Sequence, residues 1–124
     1  MFKILIVEDN RFYRQSLKEI CDGKFLDLHI EEAENGKEAL EKVDSFLPGL
    51  VFMDIGLPDE SGLRLTKKIK AKYPDISVVM LTSHDQPEYR EAAIRFGASH
   101  FLSKGAVTGQ EIQDVIESSL SLTF

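Results

Sequence analysis

Four short apolar runs in this chain end in residues whose chemistry fits together. Ile4-Leu5-Ile6-Val7 leads into Glu8 and Asp9, Leu50-Val51-Phe52-Met53 into Asp54, the run closing at Leu81 into Thr82 and Ser83, and Phe101-Leu102 into Ser103 and Lys104. An acid after a strand usually faces water, so each of these alone says little; the joint placement is what carries information. Asp54 stands at the mouth of an apolar strand, where a carboxylate is costly to desolvate without a partner cation. Clustered carboxylates repel one another unless something positive sits among them. Hard oxygen ligands of this kind suit Mg²⁺, which keeps several waters and takes one or two carboxylates plus phosphate oxygens. A carboxylate beside such an ion can act as a nucleophile on phosphorus and form an acyl phosphate. Phosphoryl transfer then needs compact donors around the equatorial oxygens, which Lys104 and the Thr82 hydroxyl can supply.

These side chains can meet only if the runs lie side by side with their carboxyl ends at one rim. The apolar runs begin near Lys3, Leu28, Leu50, Ile76 and Ser99, and the segments between them have helical periodicity. The first such segment places Tyr13, Leu17, Ile20 and Cys21 on one face and stops at Gly23. The second opens on Asn35 with Glu38 three residues on, and turns Ala39, Leu40, Val43 and Leu47 inward before Pro48. The third runs from about Ser61 to Tyr73, with Leu65, Ile69 and Tyr73 inward, Lys67, Lys68, Lys70 and Lys72 solvated, and Pro74 as its stop. The fourth starts near Asp85 as cap, with Pro87 in its first turn and Glu88 three residues after the cap, and ends at Gly97. The fifth has Thr108 and Glu111 as a capping box and Ile112, Val115, Ile116 and Leu120 as its stripe. Strands without strict alternation are covered on both faces, which implies a central parallel sheet. Five strand-helix units with right-handed crossovers then give an α/β, doubly wound (βα)5 sandwich, for which the flavodoxin-like strand order 2-1-3-4-5 is an established solution.

The 124 residues suit one domain, 1–124, and the composition, 43% hydrophobic and 29% charged, is that of a folded soluble chain. The one cysteine, Cys21, cannot form an internal disulfide and sits among apolar residues, which fits a reducing, cytoplasmic compartment. The opening apolar run is too short for a signal-peptide core, and no stretch approaches the roughly 20 apolar residues of a membrane span. A net charge of −6 with interspersed signs offers no basic stripe, so direct nucleic-acid binding is not expected. Glu8-Asp9-Asn10-Arg11 would repel a cofactor phosphate where a nucleotide-binding fold carries its glycine loop.

The acidic pair Glu8-Asp9, the stretch Met53-Asp54-Ile55-Gly56-Leu57-Pro58 with Ser61-Gly62, then Leu81-Thr82-Ser83 and the late Lys104 resemble the receiver domains of two-component response regulators, and the resemblance spans almost the whole chain. It implies a signalling switch rather than an enzyme acting on a separate substrate. Asp54 would take a phosphoryl group from a sensor histidine kinase or a histidine phosphotransfer protein, and the chain would promote its own phosphorylation and dephosphorylation. The resemblance further implies that Asp9, Asp54 and the Gly56 carbonyl hold Mg²⁺, with Glu8 acting through a water. Thr82 and Lys104 would contact the phosphoryl oxygens, and Phe101 would change rotamer as Thr82 moves. The fourth helix, fifth strand and fifth helix would then meet an output domain, a downstream protein or a second copy. The Met53–Pro58 stretch and the non-proline residue after the lysine are similar to receivers of helix-turn-helix transcription regulators.

Departures from the family pattern are few. Glutamate replaces the first aspartate of the acidic pair and keeps its charge. Gly105 stands where the family usually has proline, and a cis bond before a non-proline residue costs about 3 kcal/mol, so a trans Lys104-Gly105 peptide is expected. Gly56 and His84 occupy positions that in the family flank the path of the hydrolytic water: Gly56 would leave the path open, and His84 would block or orient the water. His29 and His100 read as ordinary edge residues. Two other readings use the same residues: an aspartyl-nucleophile phosphatase, which typically has a second acid where Gly56 stands, and a degenerate receiver acting as a phosphorylation-independent interaction module, which would more often lack Asp54, Thr82 or Lys104.

Overall fold

Side chains alternate across a strand, so unbroken apolar runs must bury both of their faces, and they do so here. The computed structural model describes residues 2–22 and 27–121. Strands β1 (Phe2–Val7), β2 (Leu28–Ala33), β3 (Leu50–Met53), β4 (Ser77–Thr82) and β5 (His100–Ser103) alternate with helices α1 (Arg11–Asp22), α2 (Gly36–Phe46), α3 (Gly62–Lys72), α4 (Pro87–Arg95) and α5 (Gly109–Ser121). The strands form one parallel sheet in the order β2-β1-β3-β4-β5, the expected topology. Leu5, Val7, Val51, Met53, Val78, Met80 and Phe101 face one core, packed by α2, α3 and α4. Ile4, Ile6, Leu50, Phe52, Val79 and Leu81 face the other, packed by α1 and α5. Cys21 is fully buried in this second core, and burial pushes its thiol up to about 12.

Most of the capping chemistry falls where the residue pattern puts it. Asn35 Oδ1 accepts from the Glu38 amide at the start of α2, and Thr108 and Glu111 exchange the two bonds of a capping box before α5. Gly97, with φ of 107°, closes α4 as the Ala98 and Gly97 amides donate back to the Ala93 and Ile94 carbonyls. Lys67, Lys68 and Lys72 are exposed, but Lys70 is spent on the carbonyls of Pro74 and Ile76 at 2.6 and 2.8 Å. Tyr73 is half-buried and donates its hydroxyl to Asp44 at 2.7 Å. The expected stop at Gly23 lies outside the described residues.

Two expectations about helix ends are corrected. Leu47 does not turn inward: the chain takes a left-handed conformation there (φ 51°) just before Pro48, which cannot extend a helix, and the side chain swings out to 54% exposure while Phe46 is buried in its place. Asp85 does not cap α4 either. Pro87 occupies the first helical position, so the cap falls to Gln86, whose side chain makes no capping bond. The Asp85 carboxylate instead accepts from Ser103 Oγ at 2.7 Å, tying the β4–α4 loop to the end of β5.

The start of α3 is the tightest join between fold and rim. Gly62 donates its amide to the Ile55 carbonyl, and a β-carbon there would overlap the Asp54 carbonyl. Gly62→Ala should therefore cost roughly 2–4 kcal/mol in urea unfolding. Gly105→Ala, whose β-carbon would meet only Ser103 Oγ at 3.8 Å, should stay within about 0.5 kcal/mol of wild type.

Candidate functional site

The carboxyl ends of β1, β3, β4 and β5 bring Glu8, Asp9, Asp54, Thr82 and Lys104 to one rim, where the sheet order reverses between β1 and β3. Glu8, Asp54 and Thr82 are buried, at 3%, 6% and 0% exposure, whereas Asp9 is exposed. Glu8, Asp9 and Asp54 each offer a carboxylate oxygen, all within 4.8 Å of one another. The Lys104 ammonium bridges Glu8 and Asp54, lying 3.0 Å from Asp54 Oδ2. Its underside rests on the Tyr13 ring, 4.4 Å from the centroid.

Each group is held by its own local bonds. Glu8 Oε2 accepts from the Asn10 amide at 2.9 Å, and Arg14 clamps the Glu8 carbonyl at 2.6 Å while its Nε reaches Glu32 at 3.1 Å. Asp54 Oδ1 accepts from the Gly56 amide at 3.3 Å. Lys104 donates its amide to the Thr82 carbonyl, and no peptide bond among the described residues is cis, as expected for Lys104-Gly105. Thr82 Oγ1 accepts from the His84 amide at 3.1 Å. Met80 pairs in register with Phe101, and Thr82 lies two residues further on β4, so Thr82 and Phe101 share a face of the sheet. Phe101 is buried in the core, away from the polar cluster, with the Arg90 guanidinium 4.9 Å from its ring.

Electrostatics separate the two buried acids. Burial acts to raise the Asp54 pKa, but the Thr82 hydroxyl, Lys104 and the Gly56 amide outweigh it and hold the carboxyl below its ordinary range. At Glu8 burial prevails over Lys104 and the Asn10 amide, with Asp54 adding repulsion, and the pKa is raised. Burial alone would lower the Lys104 pKa, but Glu8 and Asp54 more than reverse that. Burial also raises the Tyr13 phenol, keeping it neutral.

The donor set fits a divalent cation. With all three carboxylates ionised, one ammonium leaves two negative charges at the rim, and Asp9 makes no hydrogen bond or ion pair among the described residues. Oxygen ligands of this hardness suit Mg²⁺.

The residue pattern did not single out Tyr13, Arg14 or Asp59 for this site. Asp59 accepts from the Gly36 and Lys37 amides at 2.8 and 3.1 Å, capping α2 from the loop that follows Asp54. Gly56 does not leave open space as expected: the His84 ring lies on it, and a β-carbon at Gly56 would meet His84 Nε2 at 2.5 Å.

A parallel five-stranded sheet in this order, with an acidic, lysine-bridged cluster at its switch point, is the doubly wound, flavodoxin-like class of α/β fold. Within that class, the chain matches the model of the response regulator receiver domain over residues 4–117 and belongs to that family. It is 38% identical over 104 residues to the chemotaxis protein CheY of Listeria monocytogenes, covering 84% of this chain and 87% of that one. It is 35% identical over 112 residues to the transcriptional activator protein ExaE of Pseudomonas putida, covering 90% of this chain but only 52% of ExaE. The chain thus spans about half the length of that regulator. Among solved structures, a CheY-like receiver domain protein from Methanospirillum hungatei superimposes with a TM-score of 0.90 at 26% identity, covering 98% of this chain and 94% of that one.

The two acids pull stability in opposite directions with pH. Asp54, held below 3.8, contributes stability above that pH and loses it as pH falls through its lowered value; Glu8, held above 4.5, favours the fold below 4.5 and loses that contribution as pH rises through its raised value. Lys104→Met leaves both carboxylates buried without their cation, and should cost roughly 3 kcal/mol near neutral pH. In thermal denaturation the deficit against wild type should shrink as pH falls toward about 4, where protonation relieves the repulsion. It should shrink also on adding Mg²⁺ at neutral pH.

Proposed function

We propose that residues 1–124 form one receiver domain that works as a phosphorylation-activated switch, with Asp54 as the phosphoryl acceptor. The observation that carries this reading is the state of Asp54: a buried carboxylate kept ionised at a strand end, with an ammonium 3.0 Å away and two further acids beside it. In the reaction an Asp54 oxygen bonds to phosphorus while the bond from phosphorus to the imidazole nitrogen of a kinase or phosphotransfer protein breaks, the electron pair leaving with the imidazole. Glu8 (through a water), Asp9, Asp54 and the Gly56 carbonyl would hold Mg²⁺, which when bound neutralises charge on the transferring group.

Lys104 and the Thr82 hydroxyl donate to the phosphoryl oxygens. A new dianionic group at Asp54 fixes the Thr82 hydroxyl, which already bears on that carboxylate, and with it the Phe101 ring in the buried position it holds on the same face of the sheet. Two packings of β4, β5 and α4 are then close in energy, and phosphorylation shifts the population between them. The α4–β5–α5 face carries the change to an output domain, a downstream protein or a second copy in the cytoplasm. The same site returns the acceptor to its free carboxylate by hydrolysis. Intact Asp54, Thr82 and Lys104 favour this reading over a phosphorylation-independent module, and Gly56 in place of a second acid favours it over a phosphatase.

Intact mass after incubation with an acyl-phosphate donor and Mg²⁺ tests the proposal. One added phosphoryl group is expected, absent in Asp54→Ala and in metal-free samples; an unmodified wild-type chain that releases no inorganic phosphate would leave the interaction-module reading. The His84 ring, packed over Gly56, shields the approach to Asp54, so His84→Ala should shorten the lifetime of the phosphorylated form severalfold. Unchanged decay in both His84→Ala and Gly56→Asn would remove this role.

A further inference from the structure

Lys104 must reach the phosphoryl group, yet little in its own segment fixes where its ammonium sits. The residue after it is Gly105, in an exposed turn where a β-carbon would meet nothing nearer than Ser103 Oγ at 3.8 Å. The backbone is pinned by the Lys104 amide to the Thr82 carbonyl at 2.9 Å, and by the Ala106 and Val107 amides to the Ser103 carbonyl. None of these bonds reaches the end of a four-carbon side chain. The ammonium is held by Glu8, by Asp54 and by the Tyr13 ring. Both carboxylates belong to the proposed cation site, so a bound divalent ion competes with Lys104 for them. The ring does not take part in that competition.

Tyr13 is itself held by the acidic side of the site. Asn10 Oδ1 accepts from the Tyr13 amide at 3.0 Å, while the Asn10 amide donates to Glu8 Oε2 at 2.9 Å. One residue thus sets both the buried acid and the first turn of α1 that carries the ring. The Tyr13 hydroxyl makes no hydrogen bond among the described residues, which leaves the face of the ring as the part in use. We propose that Tyr13 is a positioning residue that keeps the Lys104 ammonium within reach of the phosphoryl group on Asp54 by a cation–π contact, doing from the side-chain end what the open Lys104-Gly105 turn does not do from the backbone. This inference rests on the reading of Asp54 as phosphoryl acceptor.

The test compares Tyr13→Leu with Tyr13→Phe in the full chain. Tyr13→Leu should slow phosphorylation by an acyl-phosphate donor at saturating Mg²⁺ about fivefold, while Tyr13→Phe, which keeps the ring, stays within about twofold of wild type. In a Lys104→Met background, Tyr13→Leu should add no further loss. The Lys104 ε-methylene protons should show an upfield ring-current shift by NMR in wild type and Tyr13→Phe, without added metal or phosphodonor, and lose it in Tyr13→Leu. An unslowed Tyr13→Leu chain, a Tyr13→Phe chain as slow as Tyr13→Leu, or equal slowing in the Lys104→Met background would overturn the proposal, as would absence of the shift in wild type. A wild-type chain that shows the shift but takes no phosphoryl group locates the failure in the acceptor reading, and the positioning role falls with it.

Discussion

One ammonium shared by two buried carboxylates is the constraint around which this molecule is arranged. Glu8 and Asp54 end neighbouring strands, and parallel pairing sets them side by side whether or not their charges tolerate it. Without Lys104 the rim would hold two like charges out of water, and at least one would have to protonate. With it, Asp54 stays ionised, while at Glu8 burial, with a smaller push from Asp54, still raises the pKa. One ammonium does not neutralise the cluster, and the exposed Asp9 adds to the excess of negative charge on the side that faces solvent.

The fold meets this constraint with short bonds between consecutive loops. Asn10 serves Glu8 and α1 together, Arg14 fixes the Glu8 carbonyl, Asp59 ties the loop after Asp54 to α2, and Ser103 and Asp85 join the loops after β5 and β4. Gly62 lets α3 start against the Asp54 carbonyl, with its amide donating to the Ile55 carbonyl. Thr82 and Phe101 lie on one face of adjacent strands, and Phe101 packs in the same core as α4.

Much of this is legible in the residues themselves, for physical reasons. Apolar runs buried on both faces, the Asn35–Glu38 and Thr108–Glu111 pairs and the glycine after α4 are signals carried within a few residues, and the structure follows each. The rim acids and Lys104 were legible because a parallel sheet brings strand ends together whatever the loops do. What escaped the residue pattern depends on contacts between distant segments. Asp85 looks like a cap until Ser103, 18 residues away, claims its carboxylate. Tyr13 reads as one more apolar-face residue of α1 until Lys104 lands on its ring. Gly56 suggests open space, but His84 arrives from another strand end to fill it. Leu47 fits the helical period, and only the turn before Pro48 rotates it outward.

The most direct test is to locate the acyl phosphate itself. Borohydride reduces an aspartyl phosphate to homoserine, so peptide mass spectrometry of the chain after phosphodonor, Mg²⁺ and borohydride treatment reads the acceptor by position. Homoserine is expected at position 54 and at no other acid. Homoserine elsewhere, or none in a chain that gains phosphoryl mass, would contradict the assignment of Asp54 and with it the role given to the ammonium beside it.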